Sequence, residues 1–342
     1  MGLRDWFVGE IAIDLGTANT LIIYKDKIVV DEPSIIALDR VTNKVIAVGK
    51  AAMQMHEKTH ENIKTIRPLR DGVIADFTAA ELMIKAMIRM IDTGNRIFQP
   101  SYRMIICIPS GITEVEKRAV KDSAEHTGAR EVYMIHEPLA AAIGIGINIQ
   151  EPIGSMIVDI GGGTTEIAVI ALSGIVCEQS IKTAGDVFTR DIMDYMRRQH
   201  NILIGERTAE QIKIEVGSAM AELDDNPPPD YEARGRDLMT GIPKTIRVSY
   251  SEIAFCLDKS ISRMEDAILT TLEAAPPELA ADIYTRGIHL TGGGALLRGL
   301  AQRLALKTKL PIHVAEDPLK AVVRGTGVAL KNLEMFKSVL IQ

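Results

Sequence analysis

Two short stretches carry residue types suited to gripping a polyphosphate. Asp159-Ile160-Gly161-Gly162-Gly163-Thr164-Thr165-Glu166 lies between the apolar runs Met156-Ile157-Val158 and Ile167-Ala168-Val169-Ile170. An apolar strand, a glycine turn and a second strand predict a β-hairpin. Three adjacent glycines remove every Cβ at the bend, so backbone N–H groups can close on a ligand. Asp159 ends the incoming strand with a carboxylate, and Thr164 and Thr165 add hydroxyls. Amide donors, hydroxyls and a carboxylate able to hold a hydrated Mg²⁺ suit a nucleotide triphosphate. For one such turn alone, glycines serving only the hairpin's geometry are the better explanation.

The turn is not alone. Asp14-Leu15-Gly16-Thr17-Ala18-Asn19-Thr20 has the same shape, after Ile11-Ala12-Ile13 and before Leu21-Ile22-Ile23-Tyr24. An internal repeat says more about architecture than either copy.

The elements around the turns repeat as well. Strands are expected at 11–15, 21–24, 28–30, 35–38 and 45–48, followed by a short polar helix at 51–61 and a helix from Thr78 to about Asp92. A strand at 104–108, a helix at 113–127 and a strand at 131–135 lead to Glu137-Pro138, which opens a helix rich in small residues. The second half replays the scheme: strands at 156–160, 166–172 and 174–182, and helices at 187–199 and 208–220. Residues 222–245 are polar and read as a surface hairpin or loop. A helix at 251–273 runs through Pro276-Pro277 to a strand at 287–290 and Thr291-Gly292-Gly293-Gly294-Ala295. A helix at 296–307, a strand at 312–314 and a last helix opened by Asp317-Pro318 follow. Each half thus ends in [Asp/Glu]-Pro-Leu-x-Ala. Two α/β halves finishing in small-residue helices suggest a cleft with those helices crossing at its floor.

Composition narrows the function. A chain of 342 residues, 46% hydrophobic, can bury two cores. A net charge of −6 without a basic stripe argues against nucleic acid as a partner. Cys107, Cys177 and Cys256 show no ligand spacing and suit buried thiols in a reducing cytoplasm. No apolar run approaches the ~20 residues that span a bilayer, and no signal-peptide layout precedes the first turn. Leu3, Trp6 and Phe7 would share one face of a helical turn. They suit either a lipid interface or a strand lead-in. Ile97 and Phe98, large apolar residues in a polar turn, fit a lid on the core or a second lipid or partner contact. His56-Glu57-Lys58-Thr59-His60 formally matches the zinc pattern H-E-x-x-H. Its flanks are polar and no third ligand sits at a recognisable spacing, so it reads as a solvated helix face.

Asp14–Thr20, Glu137–Gly144, Asp159–Glu166, Thr291–Gly294 and Asp317–Gly327 resemble, in order, the five nucleotide-site segments of the actin-like ATPase superfamily. Within it the chain is similar to the MreB family of bacterial actin homologues. The stretches 66–77, 110–113, 136–142 and 211–219 are typical of that family, while Asn226–Asp230 departs from it. The resemblance implies two similar actin-like (ribonuclease-H-like) α/β lobes around a nucleotide cleft, residues 1–148 and 149–342. Each carries a smaller insertion, about 32–77 and 186–255, and a last helix over 318–335 returns to the first lobe.

The resemblance also implies the site. Gly16, Thr17, Ala18 and Asn19 would grip the ATP or ADP phosphates from one side, and Gly161, Gly162, Gly163 and Thr164 from the other. Asp14 and Asp159 would hold Mg²⁺ through water. Glu137 would orient the attacking water, with Thr164 and Thr165 helping to position it or the phosphate. Glu210 and Lys213 would reach ribose and adenine, and Gly292, Gly293, Gly294 and Ala295 would let adenine lie against backbone. The implied function is a slow ATPase that polymerises with copies of itself, in paired protofilaments. They would lie beneath the inner face of the cytoplasmic membrane and guide the cell-wall elongation machinery that keeps a cell rod-shaped. A metabolic kinase on the same fold would need an acceptor pocket with a carboxylate base, and none is assignable. A chaperone-type ATPase would add a peptide-binding domain, yet about fifteen residues follow Gly327. No P-loop or G-x-G-x-x-G is present.

Overall fold

The computed structural model describes residues 8–91, 101–223 and 226–342. Leu3, Trp6, Phe7, Ile97 and Phe98 lie outside the described residues, as do Asp224 and Asp225. The chain divides into two compact units. One holds the chain up to Pro152 with Ile170–Val176 and Leu319–Gln342; the other holds Ile153–Val169 and Cys177–Pro318.

The first unit begins with β1 (Val8–Leu15), β2 (Asn19–Tyr24), β3 (Lys27–Pro33), β4 (Ile36–Asp39), β5 (Val45–Val48) and α1 (Gly49–Met55). It continues with β6 (Ile63–Ile66), β7 (Leu69–Arg70), β8 (Val73–Ile74), α2 (Phe77–Arg89), β9 (Ser101–Ile108), α3 (Glu114–His126), β10 (Ala129–His136) and α4 (Glu137–Gly144). Its main sheet has the order β10-β9-β1-β2-β3. The β10–β9 and β9–β1 pairs are parallel and the other two antiparallel. Ile11, Ala12 and Ile13 are all buried, as a strand covered on both faces requires. Asp76 caps α2 through the Ala79 amide, and Thr113 with Glu116 forms a capping box on α3.

The second unit, apart from the β12–β13 connection Ile170–Val176, runs β11 (Ser155–Ile160), β12 (Thr165–Ala171), β13 (Gly174–Ile181), α5 (Gly185–His200), β14 (Ile202–Leu203), α6 (Glu206–Val216), β15 (Tyr231–Asp237) and β16 (Pro243–Val248). Then come α7 (Tyr250–Ala274), α8 (Pro277–Arg286), β17 (Ile288–Thr291), α9 (Leu300–Thr308) and β18 (Ile312–Val314). Its main sheet reads β13-β12-β11-β17-β18. That is the order of the first sheet with β11, β12, β13, β17 and β18 in the places of β1, β2, β3, β9 and β10. The repeat seen in the turns therefore extends to strand topology. Each unit also carries a small three-stranded sheet, β5-β4-β6 in the first and β14-β15-β16 in the second.

A single turn of 3₁₀ helix over Pro318–Lys320 leads into α10 (Ala321–Lys331), which packs on α4, β1, β2 and β9 of the first unit. The Cys107 thiol lies 2.6 Å from the Thr326 hydroxyl across that contact. The small residues of both helices now have a reason. A Cβ on Gly144 would collide with the carbonyl of Ala321, and one on Gly325 with that of Ala140. The two backbones touch directly, which only glycine allows.

Four sequence expectations need correction. The helix expected at 51–61 stops at Met55, because His56 turns extended and Glu57 takes φ 60°. His56 and His60 therefore share no helix face; His56 Nδ1 lies 2.9 Å from Thr65 Oγ1. The helix expected to reach residue 220 ends at Val216, where Gly217 leaves helical backbone. Pro276-Pro277 does not carry the chain straight to a strand. Pro277 is the first residue of α8, where a missing N–H costs nothing. The helix expected at 296–307 starts only at Leu300, preceded by a 3₁₀ turn over Gly293–Leu296. The polar stretch 222–245 contributes a hairpin as expected, with β15 and β16 antiparallel.

The α4–α10 contact predicts an asymmetry along one helix. Gly325→Ala should lower stability by about 1–3 kcal/mol in urea unfolding, through overpacking against Ala140. Gly327→Ala, whose Cβ would lie 3.1 Å from the flexible end of Ile23, should be neutral or slightly stabilising. Equal midpoints for the two variants would contradict the direct backbone contact.

Candidate nucleotide site

Within the first unit, Asp14 is the penultimate residue of β1, paired with Leu21 across the hairpin. The turn Gly16–Ala18 is held from outside. The Ser34 hydroxyl donates to Gly16 O at 2.6 Å, and the Ser34 amide donates to Ala18 O at 2.9 Å. Thr17 Oγ1 accepts from the Gly72 amide at 3.0 Å. The turn's carbonyls are thus committed to the protein's own donors rather than turned upon an incoming anion. Glu137 is the first residue of α4, directly after β10, two strands from β1 in the sheet. Asp14 and Glu137 both sit at the carboxyl ends of mutually parallel strands, the edge where open α/β sheets take ligands. His136 rather than Glu137 is the N-cap; Glu137 lies in the first turn, where a carboxylate is favoured by the helix dipole.

Within the second unit, the glycine turn closes by a bond from Gly161 N to Thr164 O at 2.9 Å. The N-terminus of α5 then grips it. Gly185 N donates to Gly161 O at 3.1 Å and Asp186 N to Gly162 O at 2.8 Å. Asp159, opposite Thr291 in the parallel register of β11 and β17, is 5% exposed. The Thr291 hydroxyl donates to its Oδ1 at 2.8 Å. Desolvation pushes the Asp159 carboxyl up to about 6; the Thr291 bond opposes that shift, and Glu166 adds to it. Gly292, at φ 78°, lets β17 leave the sheet close by, since a Cβ there would stand 2.8 Å from Asp159 Oδ1.

A buried hard oxygen ligand short of compensating charge fits a divalent cation such as Mg²⁺. The donor set at Asp159 therefore agrees with the metal that the sequence implies.

The remaining expected residues divide. Thr164 is buried at the turn, while the Thr165 hydroxyl donates at 2.7 Å to the carbonyl of Thr183, between β13 and α5, and its side chain is fully buried. Thr165 thus ties the start of β12 to the segment leading into α5, and the expectation that it positions water or phosphate is corrected, because its one proton is committed to Thr183 O. Glu210 and Lys213 pair on α6 at 2.7 Å. Gly294 packs on Ile160, where a Cβ would clash with that side chain, and Ala295 is buried in the core of the unit. This glycine run is needed for packing whatever it does for adenine. Sequence reasoning missed Ser34, Gly72, Gly185, Asp186 and Thr189, which anchor the turns and α6. Their partners are remote in sequence, and no local pattern marks them. Among the described residues, no helix is long and apolar enough to cross a membrane.

Known proteins resemble this chain along nearly its whole length. The family model described as MreB/Mbl protein matches residues 8–338. The chain is 49% identical over 329 residues to the cell shape-determining protein Mbl of Bacillus subtilis (strain 168), covering 96% of this chain and 97% of that one. It is 48% identical over 337 residues to the cell shape-determining protein MreB of Escherichia coli (strain K12), covering 97% and 96%. Among solved structures it matches MreB 5 of Spiroplasma citri bound to AMPPNP, with a TM-score of 0.89 at 39% identity over 97% of this chain and 98% of that one. A MamK double helical filament matches with a TM-score of 0.78 at 20% identity, a likeness of fold.

The Asp159 environment fixes a pH dependence. A folded carboxyl near 6 keeps a proton that the unfolded chain, near 3.8, has already released. Its contribution to stability is thus full below about pH 4, falls as pH rises to about 6 and is then level. The span is about 3 kcal/mol from a shift of about 2 units at about 1.4 kcal/mol each. Asp159→Asn lacks this term. In nucleotide- and metal-free urea unfolding, the variant should gain on wild type by about 2–3 kcal/mol between pH 4 and pH 7. A stability difference independent of pH would contradict the burial of this charge.

Proposed function

The chain belongs to the MreB/Mbl family, and from that premise we propose that it is a cytoskeletal ATPase whose nucleotide state governs assembly into filaments of its own copies. The observation that carries the reading is the buried Asp159 carboxylate beside a glycine turn whose carbonyls are already bonded, in a chain that matches the family over nearly its full length. It is an actin-like, nucleotide-binding protein of a family whose relatives are named for cell shape.

In this reading, the amides of Gly16–Asn19 and Gly162–Thr164 donate to phosphate oxygens, the Gly161 amide closes its turn on Thr164 O, and the Thr164 hydroxyl adds a donor. Asp14 and Asp159 would hold Mg²⁺, which would neutralise charge on the phosphate oxygens. Glu137 orients the water that attacks the terminal phosphate. Catalysis rests on positioning and charge stabilisation, with little covalent work for the chain, and turnover is slow. Glu210 and Lys213 bind the nucleoside, against the strand end at Gly292–Gly294. ATP favours the polymer and hydrolysis weakens it. The filaments lie on the inner face of the cell membrane, anchored by Leu3, Trp6 and Phe7 or by Ile97 and Phe98, and guide cell-wall elongation proteins.

Sedimentation with ATP, ADP and no nucleotide tests the assembly. Pelleting that depends on ATP is expected; a soluble monomer under every condition, with lipid included, would overturn it. Glu137→Ala should slow phosphate release at least tenfold while ATP affinity stays within about twofold. Loss of binding would show that Glu137 has a different role. Replacing Trp6 and Phe7 together with Ser should reduce co-sedimentation with anionic vesicles, and unchanged sedimentation would move the anchor to Ile97 and Phe98 or to a partner protein.

A further inference from the structure

Thr189 lies on α5, one turn beyond Gly185, and is 3% exposed. Its hydroxyl stands at the centre of three polar atoms from two helices. Glu210 Oε2 lies 2.8 Å away, Lys213 Nζ 3.1 Å away and Gly185 O 3.0 Å away. Lys213 Nζ itself donates to Gly185 O at 3.0 Å and pairs with Glu210 Oε2 at 2.7 Å. Gly185 then continues the chain of contacts, because its own N–H holds Gly161 O in the glycine turn.

The chemistry of a hydroxyl limits what this arrangement can be. Thr189 has one proton and two lone pairs. An ammonium has only donors and a carboxylate only acceptors, so the hydroxyl accepts from Lys213 and donates to Glu210. Its remaining neighbour, Gly185 O, competes for the same proton and is served by Lys213. One small side chain thereby fixes the rotamers of both charged groups and ties α6 to the residue that grips the phosphate turn. A surface i,i+3 pair would have no such constraint.

We propose that Thr189 is a positioning residue for nucleotide binding. It sets Glu210 and Lys213 for the nucleoside and couples α6, through Gly185, to the turn at Gly161. The inference rests on the reading of Glu210 and Lys213 as nucleoside contacts. It assigns Thr189 no contact with the nucleotide itself.

The test compares Thr189→Val, which keeps the shape and removes the hydroxyl, with Thr189→Ser, which restores it. In the full chain, Thr189→Val should raise KM for ATP about tenfold and change kcat by less than about twofold, and Thr189→Ser should return KM to within about twofold of wild type. A merely structural role would lower the unfolding temperature without this split. The second arm is a double-mutant cycle read in equilibrium ATP binding. In a Glu210→Gln background, Thr189→Val should cost much less than in wild type, because the carboxylate it orients is gone. Unchanged KM in Thr189→Val, failure of Thr189→Ser to rescue, or the same loss in both backgrounds would overturn the proposal. Wild-type chain that binds ATP but is insensitive to Glu210→Gln would instead refute the nucleoside role of α6. Chain that binds no ATP would refute the functional reading as a whole.

Discussion

A carboxylate held out of water with one hydroxyl for company is the constraint around which the second unit is arranged. Desolvating Asp159 disfavours its charged form, and a single bond from Thr291 does not restore the balance. Such a group is unfavourable in the nucleotide-free protein and favourable only when positive charge arrives. The surrounding structure keeps it there. Gly292 and Gly294 bring the end of β17 against the end of β11, and α5 holds the adjoining turn by its carbonyls. Strain of this kind is characteristic of binding sites, where apo stability is traded for affinity.

The two units share a frame and differ in how they hold their turns. Strand order matches place for place, yet the first turn is fastened by a serine side chain and the Gly72 amide, the second by the N-terminus of a helix. The repeat is thus one of backbone path, and its anchors were solved separately. The aspartates differ in the same way: Asp14 is half-buried while Asp159 is nearly sealed.

How much of this was legible in the sequence follows from the range of each interaction. The Asp-x-Gly hairpins, the apolar strands and the small-residue helices are local patterns and lie near where they were expected, although the last helix spans Ala321–Lys331 rather than 318–335. The close approach of Gly144 and Gly325 was foreshadowed by composition alone, since only small residues permit it. The α8 helix was hidden by Pro276-Pro277, which suits both a break and a helix start. The end of α6 at Gly217 and the extended turn at His56 depend on backbone angles that no apolar periodicity encodes. The anchors are the least legible part. Thr291 reaches Asp159 across 132 residues and Gly72 reaches Thr17 across 55, so no window of sequence contains either pair. Thr165 shows the converse: its place in a motif suggested chemistry, and its hydroxyl bonds the Thr183 carbonyl just before α5.

The charge deficit at Asp159 can be observed directly by carbon-13 NMR of the labelled carboxyl, titrated with and without Mg²⁺ and a non-hydrolysable ATP analogue, with Asp159→Asn to assign the signal. The nucleotide-free protein should show a midpoint near 6, and the loaded protein a midpoint below the ordinary carboxylate value of 3.8. An ordinary midpoint in the free protein, or one that does not move on loading, would contradict the account.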